Sequence, residues 1–111
     1  MTDCLFCKVV DGEIPSDTVY EDDKIIVFKD IYPKADVHLL IIPKIHYTDL
    51  PDTMDKNPEI LNYMMKMVPL IAKDQGLNNG FRTIINTGKG GGQVIFHIHI
   101  HLMAGPSLPG F

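Results

Sequence analysis

Between positions 97 and 101 the chain reads His97-Ile98-His99-Ile100-His101. On an extended strand this alternation puts the three imidazoles on one face and the two isoleucines on the other. Neighbours on one face stand about 7 Å apart. A row of imidazoles adds little to a core, so its use lies in what it binds. Two kinds of guest suit it. Histidine is the commonest metal ligand, and three histidines can hold a catalytic metal. Imidazole can also attack phosphorus as a nucleophile, while its neighbours move protons near neutral pH.

The residues just before the row bear on this choice. Thr87-Gly88-Lys89-Gly90-Gly91-Gly92-Gln93 is glycine-rich. Successive glycines can take conformations in which backbone N–H groups converge on an anion. A phosphate held there would lie at the edge of the histidine row. A glycine loop alone is commonly a tight connection, and a lone histidine is commonly a satisfied core or surface residue. The two in direct succession favour phosphate chemistry at the middle histidine, His99, over a metal. A second cluster, Cys4-Leu5-Phe6-Cys7, is a C-x-x-C and supplies half of a zinc site. A redox pair or two plain buried thiols are the alternatives, although no thioredoxin-like βαβ context surrounds it.

Elements must hold these groups in place. Cys4 to Asp11 suits one or two helical turns, ended by Gly12 and Pro15. Thr18–Tyr20 and Lys24–Lys29 read as strands joined through the acidic Glu21-Asp22-Asp23. Val37–Ile42 is a strongly β-forming run, buried on both faces by composition and ended by Pro43. Asn57-Pro58 reads as an N-cap and first helical residue. Ile60, Leu61, Met64, Met65, Val68 and Ile71 then follow the helical period up to Gly76, with a kink expected at Pro69. Phe81–Asn86 and Val94–Met103 complete five strands. The tail from Ala104 reads as irregular. The expected class is α+β: an antiparallel five-stranded sheet with one long and one short helix, the helices on one face. The stripe methionines read as core filler.

The 111 residues suit one domain, 1–111. The net charge of −4, without a basic run, speaks against broad nucleic-acid binding. No apolar run reaches transmembrane length, and no signal-peptide pattern opens the chain. A cytoplasmic protein with reduced cysteines, unless they hold metal, is the expectation.

Gly91-Gly92-Gln93-Val94-Ile95-Phe96-His97-Ile98-His99-Ile100-His101-Leu102-Met103 closely resembles the signature of the histidine-triad (HIT) superfamily. Gly12–Ser16, Tyr20–Asp23, Phe28–Ile31 and His38–Lys44 agree with it. The nearest branch resembles the Hint nucleoside phosphoramidate hydrolases. The resemblance implies a homodimer whose sheets join, with a purine nucleotide site on each subunit. His99 would attack the α-phosphorus to give a nucleotidyl-histidine. His101 would contact phosphate and aid proton transfer, His97 would orient its neighbours, and His38 would complete the site. Asp30 would grip the ribose, with Phe6, Phe28 and Ile31 walling the base. Asn86, Gly92 and Gln93 would lie beside the phosphate. Val94 stands where many Hint members carry serine, so it offers phosphate only its N–H. The tail after Gly105 is also shorter than in some members, which leaves substrate choice open.

The resemblance further implies a structural zinc held by Cys4, Cys7, His46 and His97, with no cofactor for catalysis. Two other readings stand beside P–N bond hydrolysis. One is a nucleotide-binding regulatory or scaffolding dimer with vestigial hydrolysis. The other is a metal-dependent enzyme using the histidine row as ligands.

Overall fold

The computed structural model describes residues 3–110. Its elements are α1 (Leu5–Val10), β1 (Thr18–Glu21), β2 (Ile25–Lys29), β3 (Val37–Pro43), α2 (Leu50–Lys56), α3 (Pro58–Asp74), β4 (Arg82–Ile84) and β5 (Ile100–Ala104), with a 3-10 turn at Lys89–Gly91. The strands form one five-stranded antiparallel sheet in the order β1-β2-β3-β5-β4. This is the expected α+β class and strand number.

β3 is the centre of the sheet, as its unbroken apolar run requires. The twofold alternation of side chains divides the interior in two. Ile25, Val27, Leu39, Ile41, Ile100 and Leu102 pack against Met64, Val68, Ile71 and Ala72 of α3. Ile26, Phe28, Leu40 and Ile42 point the other way and meet Phe6 and Val9 of α1. The helices therefore cover both faces, not one. A β3 buried on both sides demands this, because an antiparallel sheet with one wet face would show polar alternation there.

Other expectations shift in detail. α2 was not foreseen, although Asp49 caps it by accepting from the Asp52 amide and Pro51 sits in its first turn. Asn57 precedes α3 but does not cap it. Its side-chain Nδ2 instead donates to the Tyr47 hydroxyl at 3.2 Å. α3 runs for 17 residues with Pro69 inside it, and Gly76, at φ +76°, takes the left-handed turn that follows its end. Met65 is exposed, so it lies off the buried stripe. The strand expected over Phe81–Asn86 is only Arg82–Ile84.

The histidine strand is shorter than expected. Its ladder with β3 begins at Ile41↔Ile100, so His97 and His99 come before it. Pro43 accounts for this. It lacks the N–H that would continue the ladder past Ile42. The Ile98 amide turns to the Tyr47 carbonyl instead, at 2.7 Å. That leaves the Pro43 carbonyl free for a side chain.

Candidate active site and metal centre

His38 on β3 and His101 on β5 face the same side of the sheet as Leu40, the side covered by α1. His99, two residues ahead of His101, reaches the same place. The His99 and His101 ring centroids are 4.9 Å apart, and those of His38 and His101 are 5.1 Å apart. Phe6 of α1 meets His99 edge-on at 5.1 Å and Phe28 at 5.6 Å. His38, His97 and His99 are all buried.

The hydrogen bonds determine where each ring carries its proton. The Lys34 amide donates to His38 Nδ1 at 3.1 Å, so that nitrogen holds a lone pair and the proton sits on Nε2. His38 Nε2 lies 2.9 Å from His101 Nδ1 and 3.4 Å from Asp30 Oδ2. His101 Nδ1 is then an acceptor, and its own proton lies on Nε2. That Nε2 is, among the described residues, the buried side-chain polar atom left without a partner. His99 Nδ1 lies 2.8 Å from the His97 carbonyl oxygen, which can only accept. Its proton is therefore on Nδ1 and its lone pair on Nε2. A free lone pair on His99 thus stands beside a free N–H on His101, the pairing that nucleophilic attack with hydrogen-bond assistance requires.

Burial, with the neighbouring His99 and His38, pushes the His101 pKa down to about 4. Burial also lowers those of His38 and His99. Near neutral pH these rings are uncharged, and the His99 lone pair is available.

The second cluster sits where α1, the segment after β3 and the start of the histidine run meet. His97 Nε2 donates to the Pro43 carbonyl at 2.8 Å, which leaves a lone pair on Nδ1. That Nδ1 lies 3.4 Å from Cys4 Sγ, 3.6 Å from Cys7 Sγ and 3.2 Å from His46 Nδ1. Cys7 Sγ is also 3.4 Å from His46 Nδ1. Ligand bonds of ordinary length to a tetrahedral zinc imply N–N edges of about 3.3 Å and N–S edges of about 3.6 Å. The donor set therefore fits zinc in kind and in spacing. Without a cation the Cys7 thiol resists ionising: burial and Cys4 raise its pKa to about 11.

Asp30, His38 and His101 also bring three ligand atoms together. The Lys34 amide makes them a poor metal site, because it forces a proton onto His38 Nε2, the atom that would have to bind. One histidine cluster is thus set up for metal and the other for protons.

The remaining expected residues are placed unevenly. Asp30 Oδ1 accepts from the Tyr32 amide at 2.9 Å. Ile31 and Val94 are 78% and 83% exposed, so neither is packed into a wall within this chain. Asn86 follows β4, and Gly92, at φ +87°, ends the 3-10 turn. Gln93 is buried, with its side chain fully engaged. Its Oε1 accepts from the Gly88 amide at 2.9 Å, and its Nε2 donates to the Thr48 and Ile95 carbonyls at 2.7 and 3.1 Å. It shapes the glycine loop from behind. Sequence reasoning missed the Lys34 amide and the Pro43 carbonyl. Only the proline that ends β3 hinted at the latter.

Residues 11–108 match the HIT domain family. The chain is 53% identical to Protein HitA of Neisseria gonorrhoeae over 106 residues, 96% of this chain and 99% of that one. It is 43% identical to Adenylylsulfatase HINT1 of Arabidopsis thaliana, over 91% of this chain and 70% of that protein. Among solved structures, a histidine triad protein from Clostridium difficile superposes with a TM-score of 0.94 at 45% identity, covering 100% of this chain and 97% of the other. A Zn-bound histidine triad family protein from Mycobacterium smegmatis gives a TM-score of 0.84 at 36% identity, covering 95% and 76%. The fold that carries the imidazoles thus has close counterparts among solved structures, and the chain belongs to the HIT family.

Proposed function

We propose that this HIT protein hydrolyses purine nucleotides through a covalent nucleotidyl-histidine at His99, cleaving the P–N bond of a phosphoramidate and, in the same way, the P–O bond of an aminoacyl-adenylate. The observation that carries this reading is the proton placement: a lone pair on His99 Nε2 beside an unpartnered N–H on His101 Nε2. His99 Nε2 attacks the α-phosphorus, and the bond to the leaving nitrogen breaks with its electron pair staying on that nitrogen. His101 Nε2–H faces the departing nitrogen, which takes up one proton as it leaves. Water then attacks phosphorus, returns one proton, and releases the nucleoside monophosphate as the P–N bond to His99 breaks.

Phe6 and Phe28 offer the base an aromatic floor, with Ile31 at its edge. Asp30 holds the ribose hydroxyls as an acceptor-only group. Asn86, Gly92 and the Val94 amide lie along the phosphate, on a loop that Gln93 braces. Cys4, Cys7, His46 and His97 hold a structural zinc, and catalysis needs no cofactor. Two copies pair with their sheets joined into one, and the protein acts in the cytoplasm, where its thiols stay reduced.

The test is to mix the protein with adenosine phosphoramidate, quench during turnover and map the adduct by mass spectrometry. The expected result is adenylate on His99, with His99→Ala losing at least about a thousandfold in kcat while still binding AMP. Rapid product formation by His99→Ala would overturn the reading.

A further inference from the structure

The metal centre and the candidate nucleophile share one residue, His97. Its two ring nitrogens and its backbone carbonyl each have one assignment. Nε2 is tied to the Pro43 carbonyl at 2.8 Å. Nδ1 faces both cysteines and His46. Its backbone carbonyl, 2.8 Å from His99 Nδ1, is the acceptor that keeps the His99 lone pair on the other nitrogen. His97 is wholly buried. The ladder of β5 does not reach it, because Pro43 ends the pairing with β3. The carbonyl that orients His99 thus belongs to a residue outside the sheet.

A second link runs through α1. Cys4 and Cys7 bracket Phe6, and Cys4 Sγ also caps this helix by accepting from the Cys7 amide at 3.3 Å. Phe6 packs edge-on against both His99 and His97, with ring centroids 5.1 and 6.0 Å away. α1 has only six residues and buries two of them, Phe6 and Val9. So short a helix does not hold its place by backbone bonding alone. Ligation at Cys4 and Cys7 would fix the ring that packs on His99, and ligation at His97 would fix the carbonyl that orients it.

We propose that occupancy of the Cys4–Cys7–His46–His97 site sets the orientation and tautomer of His99, with His97 as the positioning residue between metal and nucleophile. The metal takes no part in bond making. Its loss slows attack on phosphorus far more than it weakens nucleotide binding, which reaches the metal only through Phe6. This rests on the reading of His99 as the nucleophile, and the tautomer can be measured without turnover.

The experiment uses the full chain with 15N-labelled histidine, loaded with zinc, stripped with chelator and reloaded. Long-range 1H–15N correlation spectra report which His99 nitrogen carries the proton. In the loaded protein one form is expected, protonated at Nδ1. Stripping should mix the two tautomers and lower the single-turnover rate of adenylation by about 10–100-fold, the range typical of lost outer-shell support, with a smaller change in AMP affinity. Reloading should restore both. His46→Cys, which keeps four ligands, should behave as the loaded protein does, and His46→Ala as the stripped one. Cadmium in place of zinc has longer bonds and keeps the cross-link, so it tests the coupling even if stripping unfolds α1. It should move the His99 signals.

A chain that takes up no zinc, or His99 signals unmoved by stripping and by cadmium, would overturn the proposal. If the tautomer follows the metal but no adenylate ever forms on His99, the positioning stands and the phosphoryl-transfer reading fails.

Discussion

His38 Nε2 lies 2.9 Å from His101 Nδ1, and the bond has one direction because the Lys34 amide occupies the other nitrogen of His38. A backbone amide in the loop after β2 thereby decides which nitrogen of His101, on β5, presents its proton to the site.

Removing that directionality should weaken His101 as a donor. His38→Phe is expected to lower kcat by about 10–100-fold, with the largest loss for the most basic leaving amines. Lys34→Pro removes the amide hydrogen together with the lysine side chain and should act in the same direction, whereas Lys34→Ala removes the side chain, keeps the amide and should be nearly silent. A leaving-group series measured on all three variants checks this. Equal losses across the series would count against it.

The half-buried imidazole of His101 should make the fold acid-sensitive. Its folded pKa, about 4, lies below the ordinary 6.5. The unfolded chain therefore binds the proton first, and stability falls as pH drops from 6.5 towards 4. Urea unfolding of wild type and His101→Asn across this window should show the steeper decline in wild type. Parallel curves would contradict the shift.

Asp22 should act at lower pH and through a different network. Burial pushes its carboxyl up, but hydrogen bonds from Tyr63, the Lys24 and Ile25 amides and Tyr20 prevail and bring it down to about 2. These contacts join the β1–β2 turn to α3. The stabilisation is present above pH 3.8 and is lost as pH falls through about 2. Asp22→Asn should cost about 1–3 kcal/mol at pH 7, and the gap to wild type should close as pH approaches 2. Thermal melts over that range measure it, and a gap that persists at pH 2 would rule the network out as the cause.

Gln93→Ala strips partners from the Gly88 amide and from the Thr48 and Ile95 carbonyls together. Unpaired backbone groups here should cost about 1–3 kcal/mol each where water cannot replace the lost bond. Hydrogen exchange should quicken across the 88–93 loop. Unchanged exchange would mean that the loop holds its shape without Gln93.

Much of the fold was legible because its signals are local and periodic. β3 announced itself through the strongly β-forming run Val37–Ile42. α3 did so through its stripe. The covering of both sheet faces is implicit in β3, but α1 is too short to signal where it packs. α2 was readable from Asp49, Pro51 and Asp52. The extent of β5 was not readable from the alternation, because Pro43, some 50 residues earlier in the chain, ends its pairing. The site divided in the same way. Side-chain types named the imidazoles and the cysteines. Proton positions depend on the Lys34 amide and on the Pro43 and His97 carbonyls, and backbone groups leave no trace in residue identity.

The two faces of the sheet are unequally roofed: α3 spans 17 residues on one side and α1 only six on the other. A long lid over the second side would have sealed the histidines in apolar material for good. If substrate reaches the imidazoles from this side, a stubby helix is what leaves the way open, and lengthening α1 by two turns should close the door before it disturbs a single reacting atom.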